Sequence, residues 1–155
     1  NRRSCAYITS NFVFWRTIKM SNEGKEDPRY TYHFTSEKGK EGIEKSGKII
    51  PSRKRDGDVA YGEKVYMTKL HPEKNKAYDI AVNNYDGTPQ YAKSRLPDTK
   101  YAFGFDSKEI NAKQERDPRS IYTVDRELDV SEVKVLYERK NDGSYKEIPI
   151  APKKK

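Results

Sequence analysis

A chain of 155 residues fits one domain with a single core, and with 33% apolar against 36% charged residues that core has to be thin and to lean on aromatics, above all the twelve tyrosines. One cysteine, Cys5, excludes an intrachain disulfide framework and a cysteine-rich zinc site. The net charge of +8 favours encounter with nucleic acid, anionic membrane surfaces or phosphorylated ligands, although of its dense clusters, Arg2-Arg3, Arg53 to Arg55 and Lys153 to Lys155, two sit at the termini, where tails are usually mobile.

Residues 1–28 read as an N-terminal segment and linker. Tyr7 to Ile18 has the look of an aromatic strand or hairpin; its run Phe12-Val13-Phe14-Trp15 is far too short to span a bilayer and lacks the apolar core of a secretory signal. Ser21 to Pro28 is polar and contains Gly24, as linkers do. Asn1 stands where a start methionine would, which suggests processing or a partial reading frame with Met20 as the start. The compartment stays open between secreted and cytoplasmic.

The domain is expected over 29–150. Tyr30, Tyr32 and Phe34 alternate with Thr31, His33 and Thr35, the period of a half-buried strand, so His33 and Thr35 share a face. Ser36 can cap a helix running to Ser46, with Gly47 where a left-handed residue is wanted, and Lys48 to Pro51 is a short extended exit. Arg53 to Gly62 mixes charge with Asp56-Gly57 and reads as a surface loop before a strand over Glu63 to Thr68. Pro72 to Asn84 carries Ala77, Ile80, Ala81 and Val82 at helical spacing, with Pro72 in its first turn and Asp86-Gly87 as its stop. Thr88 to Thr99 reads as a loop. Strands follow over Lys100 to Asp106, Ser120 to Val124 and Val133 to Arg139, and Asn141-Asp142-Gly143 turns the chain into Tyr145 to Ile150. Residues 151–155 form a basic tail. The sum is an α+β, strand-rich domain with a helix inserted early.

Most catalytic constellations are absent from the sequence. A cysteine–histidine hydrolase would have to use Cys5, which has no local signature. With only His33 and His71, a zinc site would need scattered carboxylates; His71 beside Pro72 reads instead as a loop residue before a helix. There is no Walker-type phosphate loop, and Gly39, Gly42 and Gly47 are too separated to imitate a dinucleotide fingerprint.

One stretch does point at chemistry. His33-Phe34-Thr35-Ser36, then Gly42-Ile43 and Ser46-Gly47-Lys48-Ile49, then Tyr66 within Val65-Tyr66-Met67-Thr68, resemble in order and spacing the strand–helix–strand opening of the ADP-ribosyltransferase superfamily, within it the toxin-like family carrying a His-Tyr-Asp signature. The likeness runs from Tyr30 to Leu136. It implies a split-sheet fold with one or two short helices, and a mono-ADP-ribosyltransferase of toxin or effector type that cleaves NAD and passes ADP-ribose to a protein or nucleic-acid acceptor.

Breaking the bond between nicotinamide and ribose builds positive charge on the sugar, so such a site has to fix the ribose and stabilise an oxocarbenium-like transition state. The resemblance implies that His33 bonds a ribose hydroxyl, that Thr35 adds a polar contact, that the backbone of Phe34 meets the carboxamide, and that Tyr66 stacks on the nicotinamide ring. The family's acid is expected at the start of the strand within Arg119-Ser120-Ile121-Tyr122-Thr123-Val124, where this chain has Ser120. Asp117, with Glu115 close before it, and Asp106 at the end of Tyr101-Ala102-Phe103-Gly104-Phe105 are the carboxylates that could replace it, Asp117 ahead of Asp106. The other reading is a non-catalytic basic module that holds nucleic acid or nucleotide with tyrosines and lysines.

Overall fold

The computed structural model describes residues 25–54, 60–85 and 88–151. The N-terminal aromatic run, Cys5, most of the loop after Arg53, the Asp86-Gly87 stop and the basic tail beyond Ala151 lie outside those residues.

Strand β1 (Tyr30–Thr35) begins the domain. Helix α1 (Glu37–Ser46) follows directly: the Ser36 side chain accepts from the Gly39 amide, and Gly47 closes it at φ 73°. Ile43 is its one buried residue, so α1 is held by that side chain and its caps more than by a broad apolar face. After β2 (Lys48–Ile49) and β3 (Val65–Met67), the stretch expected as one helix from Pro72 divides. Pro72–Lys74 is a 3-10 turn capped by His71, and helix α2 spans Ala77–Asn84.

The stretch from Thr88, expected as a loop, contains helix α3 (Pro89–Ser94) and a 3-10 turn at Leu96–Thr99. The reason is local: the Thr88 side chain accepts from the Tyr91 amide and Pro89 takes the first helical position, where its missing N–H costs nothing.

The remaining strands are β4 (Tyr101–Asp106), β5 (Lys113–Gln114), β6 (Tyr122–Val124), β7 (Leu128–Asp129), β8 (Val133–Arg139) and β9 (Tyr145–Ile148). Strands β6 and β9 are shorter than expected, and β5 and β7 are unforeseen because two-residue pairings leave no periodic trace. The β8–β9 turn is as the sequence indicates, with Gly143 at φ 88°.

The strands form three antiparallel sheets, ordered β1-β4-β8-β9, β3-β6-β5 and β2-β7. Strand β4 is central to the first and buried on both faces: Phe103 and Phe105 enter one cluster with Ile43, Met67, Leu128 and Leu136, while Ala102 enters another with Tyr32, Phe34, Ile80 and Tyr137. Each such fully buried large side chain contributes about 1.5–3 kcal/mol. Of the polar stretch read as a linker, residues 25–28 are already attached: Asp27 is buried, its amide donates to the Lys69 carbonyl at 2.7 Å, and its Oδ2 accepts from the Tyr32 hydroxyl at 2.7 Å.

A backbone bridge joins β1 to the residue that follows β3. The Tyr32 amide donates to the Thr68 carbonyl at 2.7 Å and the Thr68 amide returns the bond at 3.0 Å. Beyond that bridge β1 and β3 part, and the gap between them is the site.

Candidate active site

Alternation along each strand decides which groups face the gap. Because Tyr32 and Thr68 turn their backbone toward each other, the residues two along, Phe34 and Tyr66, turn theirs into the same gap. The Tyr66 carbonyl is met there by His33 Nδ1 at 3.0 Å. The Phe34 N–H and C=O point into the cleft, away from β4, as a rim strand requires.

A carbonyl can only accept, so Nδ1 of His33 carries the proton and Nε2 of the neutral ring is an acceptor. Burial pushes the His33 pKa below its ordinary value of 6.5, against the smaller opposing effect of the Tyr66 carbonyl, and favours this neutral form. Tyr66 projects from β3 on the side opposite the buried Val65 and Met67. Its hydroxyl donates to the Gly62 carbonyl at 2.7 Å and accepts from the Tyr61 amide at 2.9 Å, which fixes the ring at the cleft and ties down the loop before β3.

His33, Phe34 and Tyr66 thus line one cleft of about 280 Å³, together with Tyr61, Tyr85, Tyr91, Arg95 and Arg119. Thr35 is not part of that lining. Its Oγ1 lies under Gly39, so close that a Cβ there would meet it at 1.9 Å, and the residue seats α1 on β1.

The acid candidates fare differently from the histidine and tyrosine. Asp106 stands opposite Tyr30 in the β1–β4 register, whereas His33 stands opposite Phe103. Three residues along a strand are roughly 10 Å. Its Oδ2 takes Arg29 Nε at 3.1 Å and its Oδ1 accepts from the Lys108 and Glu109 amides, so it caps the turn after β4 and lies outside the cleft. The Arg29 bond, with those amides, holds its pKa below the usual carboxylate range.

Asp117 sits behind the cleft wall. Its Oδ1 accepts from the Arg119 amide at 2.9 Å and from Arg119 Nε at 3.0 Å; its Oδ2 accepts from Arg119 Nη2 at 2.8 Å and the Tyr61 hydroxyl at 2.6 Å. The guanidinium, first of all, and the Tyr61 hydroxyl hold this carboxyl far below the usual range. Glu115 accepts from Thr123 Oγ1 at 2.6 Å and pairs with Lys64 at 3.4 Å, away from the lining.

Ser120, where the signature would have an acid, is almost fully buried. Its amide donates to Asn83 Oδ1 at 2.9 Å, its carbonyl accepts from Asn83 Nδ2 at 3.0 Å, and its Oγ accepts from the Lys69 amide at 3.1 Å. Asn83 Nδ2 also reaches Thr68 Oγ1 at 3.2 Å, so one asparagine of α2 fastens β3 to the segment before β6. Among the described residues the cleft lining contains no carboxylate.

The sequence reading missed Tyr61, Tyr85, Tyr91, Arg95 and Arg119. Tyr85 and Tyr91 meet edge to face with ring centres 6.4 Å apart, and the Arg95 guanidinium lies over Tyr85 at 4.5 Å. No local spacing marks these residues, since they converge from four separate segments; the Thr88-Pro89 cap was the one readable sign that Tyr91 stands on a helix. His71 is structural, its Nδ1 accepting from the Glu73 amide and its ring edge against Tyr32 and Tyr137. Among the described residues no group of three or more His, Cys, Asp or Glu could hold a metal ion, and no helix is long and apolar enough to cross a membrane.

A family model described as an ADP-ribosyltransferase containing the HYD1 signature matches residues 31–135. No curated protein matches. Among solved structures, the X-ray crystal structure of protein CC0527 from Caulobacter crescentus is similar at 17% identity and a TM-score of 0.45, covering 76% of this chain and 93% of that one, a likeness too loose to argue from.

Proposed function

The chain belongs to the HYD1-signature ADP-ribosyltransferase family and has the α+β fold with several antiparallel sheets consistent with it, and from that premise we propose that it cleaves NAD and transfers the ADP-ribosyl group to a macromolecular acceptor, in the manner of a toxin or effector. NAD and an acceptor nucleophile give the ADP-ribosylated acceptor, nicotinamide and a proton. The observation that carries the reading is the His33 Nδ1 contact to the Tyr66 carbonyl at 3.0 Å across the gap between the sheets. It presents Nε2 as an acceptor for a ribose hydroxyl, in a ring already oriented before ligand arrives.

The other roles follow from what faces the same gap. The Phe34 N–H and C=O match the donor and acceptor of a carboxamide. The Tyr66 ring, pinned through its hydroxyl, offers a face to the nicotinamide. As the glycosidic bond lengthens, the electron pair leaves with nicotinamide and the ribose takes on positive charge, while a ribose hydroxyl bonded to Nε2 becomes a better donor. His33 therefore binds the transition state more tightly than the ground state.

The test is nicotinamide release from NAD, with and without cell extract. We expect release that is lost in His33→Ala and in Tyr66→Ala while both variants keep the wild-type circular dichroism. Release unaltered by His33→Ala would remove the reading.

A second reading, a basic module that binds nucleic acid or nucleotide without turnover, is favoured by the net charge of +8 and by the lack of a carboxylate in the described lining. It requires affinity for a polyanion that falls steeply with salt and is indifferent to NAD.

A further inference from the structure

Arg95 and Arg119 converge on one end of α2. Arg119 Nη1 donates to the Asn83 carbonyl at 3.3 Å in the last turn of that helix, and Arg95 lies over the ring of Tyr85, the residue that ends it. The negative end of the helix dipole favours cations at this place. Each arginine is also paired with an aspartate, Arg119 with Asp117 at 2.8 Å and Arg95 with Asp98 at 3.0 Å. Both arginines line the cleft and neither aspartate does. Each ion pair therefore turns its cationic end toward the cavity and its anionic end away, so a ligand in the cleft meets the guanidinium side of both pairs.

We propose that Arg119 and Arg95 bind the diphosphate bridge of a dinucleotide, and that Asp117 is a positioning residue that works through Arg119 rather than a catalytic acid; the dinucleotide's identity as NAD rests on the function proposed above. A guanidinium is a planar fork that matches phosphate oxygens two at a time, and it has to be held at the correct angle to do so. Asp117 supplies that hold: it grips the Nε and Nη2 edge of Arg119 and the Arg119 amide together, which fixes both ends of the side chain. The same carboxylate receives the Tyr61 hydroxyl, so it sets two residues of the cleft wall at once. With both oxygens so engaged and its proton affinity held far down, Asp117 has nothing left with which to take or give a proton in the cleft. Tyr91, a residue 43% exposed whose ring stands edge to face with Tyr85, is placed to stack on the base that follows the diphosphate.

The experiment is calorimetric titration of wild type, Arg119→Gln and Arg95→Gln with ADP and with adenosine, each variant checked for an unchanged melting transition. ADP is expected to bind wild type more tightly than adenosine, and each substitution to weaken ADP by roughly tenfold or more while leaving adenosine unchanged. Arg119→Lys, which keeps the charge and loses the fork, is expected to recover only part of the loss. For Asp117, Asp117→Asn is expected to raise KM for NAD with kcat largely kept, whereas a catalytic acid would lose kcat. Equal affinity of wild type for ADP and adenosine, absence of ADP binding, or a loss shared by both ligands in Arg119→Gln would overturn the proposal. Discrimination for ADP without nicotinamide release would instead leave this proposal standing and remove only the NAD-cleaving one.

Discussion

The chemistry proposed for His33 depends on its staying neutral, and its surroundings favour that. Since burial lowers its folded pKa below 6.5, the unfolded chain binds a proton that the folded one refuses at any pH between the two values. There the unfolded state holds more protons, so stability rises with pH and is lost as pH falls from 6.5 toward the depressed value. We expect the melting temperature of wild type to fall on acidification through that window and the slope to flatten in His33→Gln, measured by circular dichroism; parallel slopes would deny the shift. Tyr66 divides into two functions: Tyr66→Phe keeps the ring but leaves the Tyr61 amide and Gly62 carbonyl without their partner. It should keep most turnover and lose about 1 kcal/mol of stability, read from urea titration. That these two residues share a cleft was legible in the sequence because a strand period and a short ordered motif framed them. Asp106 misled because a carboxylate at a strand end looks the same whether it faces a cleft or caps a turn. Arg119 was invisible because its meaning comes from Asn83 and Asp117 together.

Among the elements, α2 does more than cover the sheet. Through Asn83 it receives the Ser120 amide, donates to the Ser120 carbonyl and touches Thr68, which joins a helix, β3 and the approach to β6 at one side chain. Asn83→Ala leaves buried backbone groups of Ser120 unpaired and should cost about 2–4 kcal/mol by urea titration. A loss much below that would mean the segment relaxes freely. Strand β4 is equally intolerant: a Cβ on Gly104 would meet Val135 Cγ1 at 2.4 Å and the Tyr32 ring at 2.9 Å. Gly104→Ala should destabilise by about 1–3 kcal/mol, visible as a lower melting temperature. Helix α1 was readable from Ser36 and Gly47, because caps are local signals. Helix α3 was not, since six residues with one buried alanine give no amphipathic period, and only its Thr88-Pro89 start distinguishes it from a loop.

For the molecule as a whole, the thin core anticipated from composition is divided between two faces of one four-stranded sheet, and the tyrosines do serve as partly polar core residues, Tyr32, Tyr137 and Tyr145 among them. The surplus of positive charge acts at longer range. If it only raises encounter with anionic ligands, added salt should slow association with NAD while leaving kcat unchanged, whereas a polyanion-binding module would release its ligand as salt rises; stopped-flow binding separates the two. The backbone bridge between Tyr32 and Thr68 has a mechanical consequence. Two hydrogen bonds at one point make a fulcrum, so the width of the gap is an angular coordinate, set by this pivot, by the His33 contact to the Tyr66 carbonyl next to it and by whatever spans the opening beyond. A ligand reaching from β1 to the end of α2 would act as a strut. The Tyr32 and Thr68 amides should then exchange with deuterium at matched rates in the free protein, and both should slow together when the strut is in place.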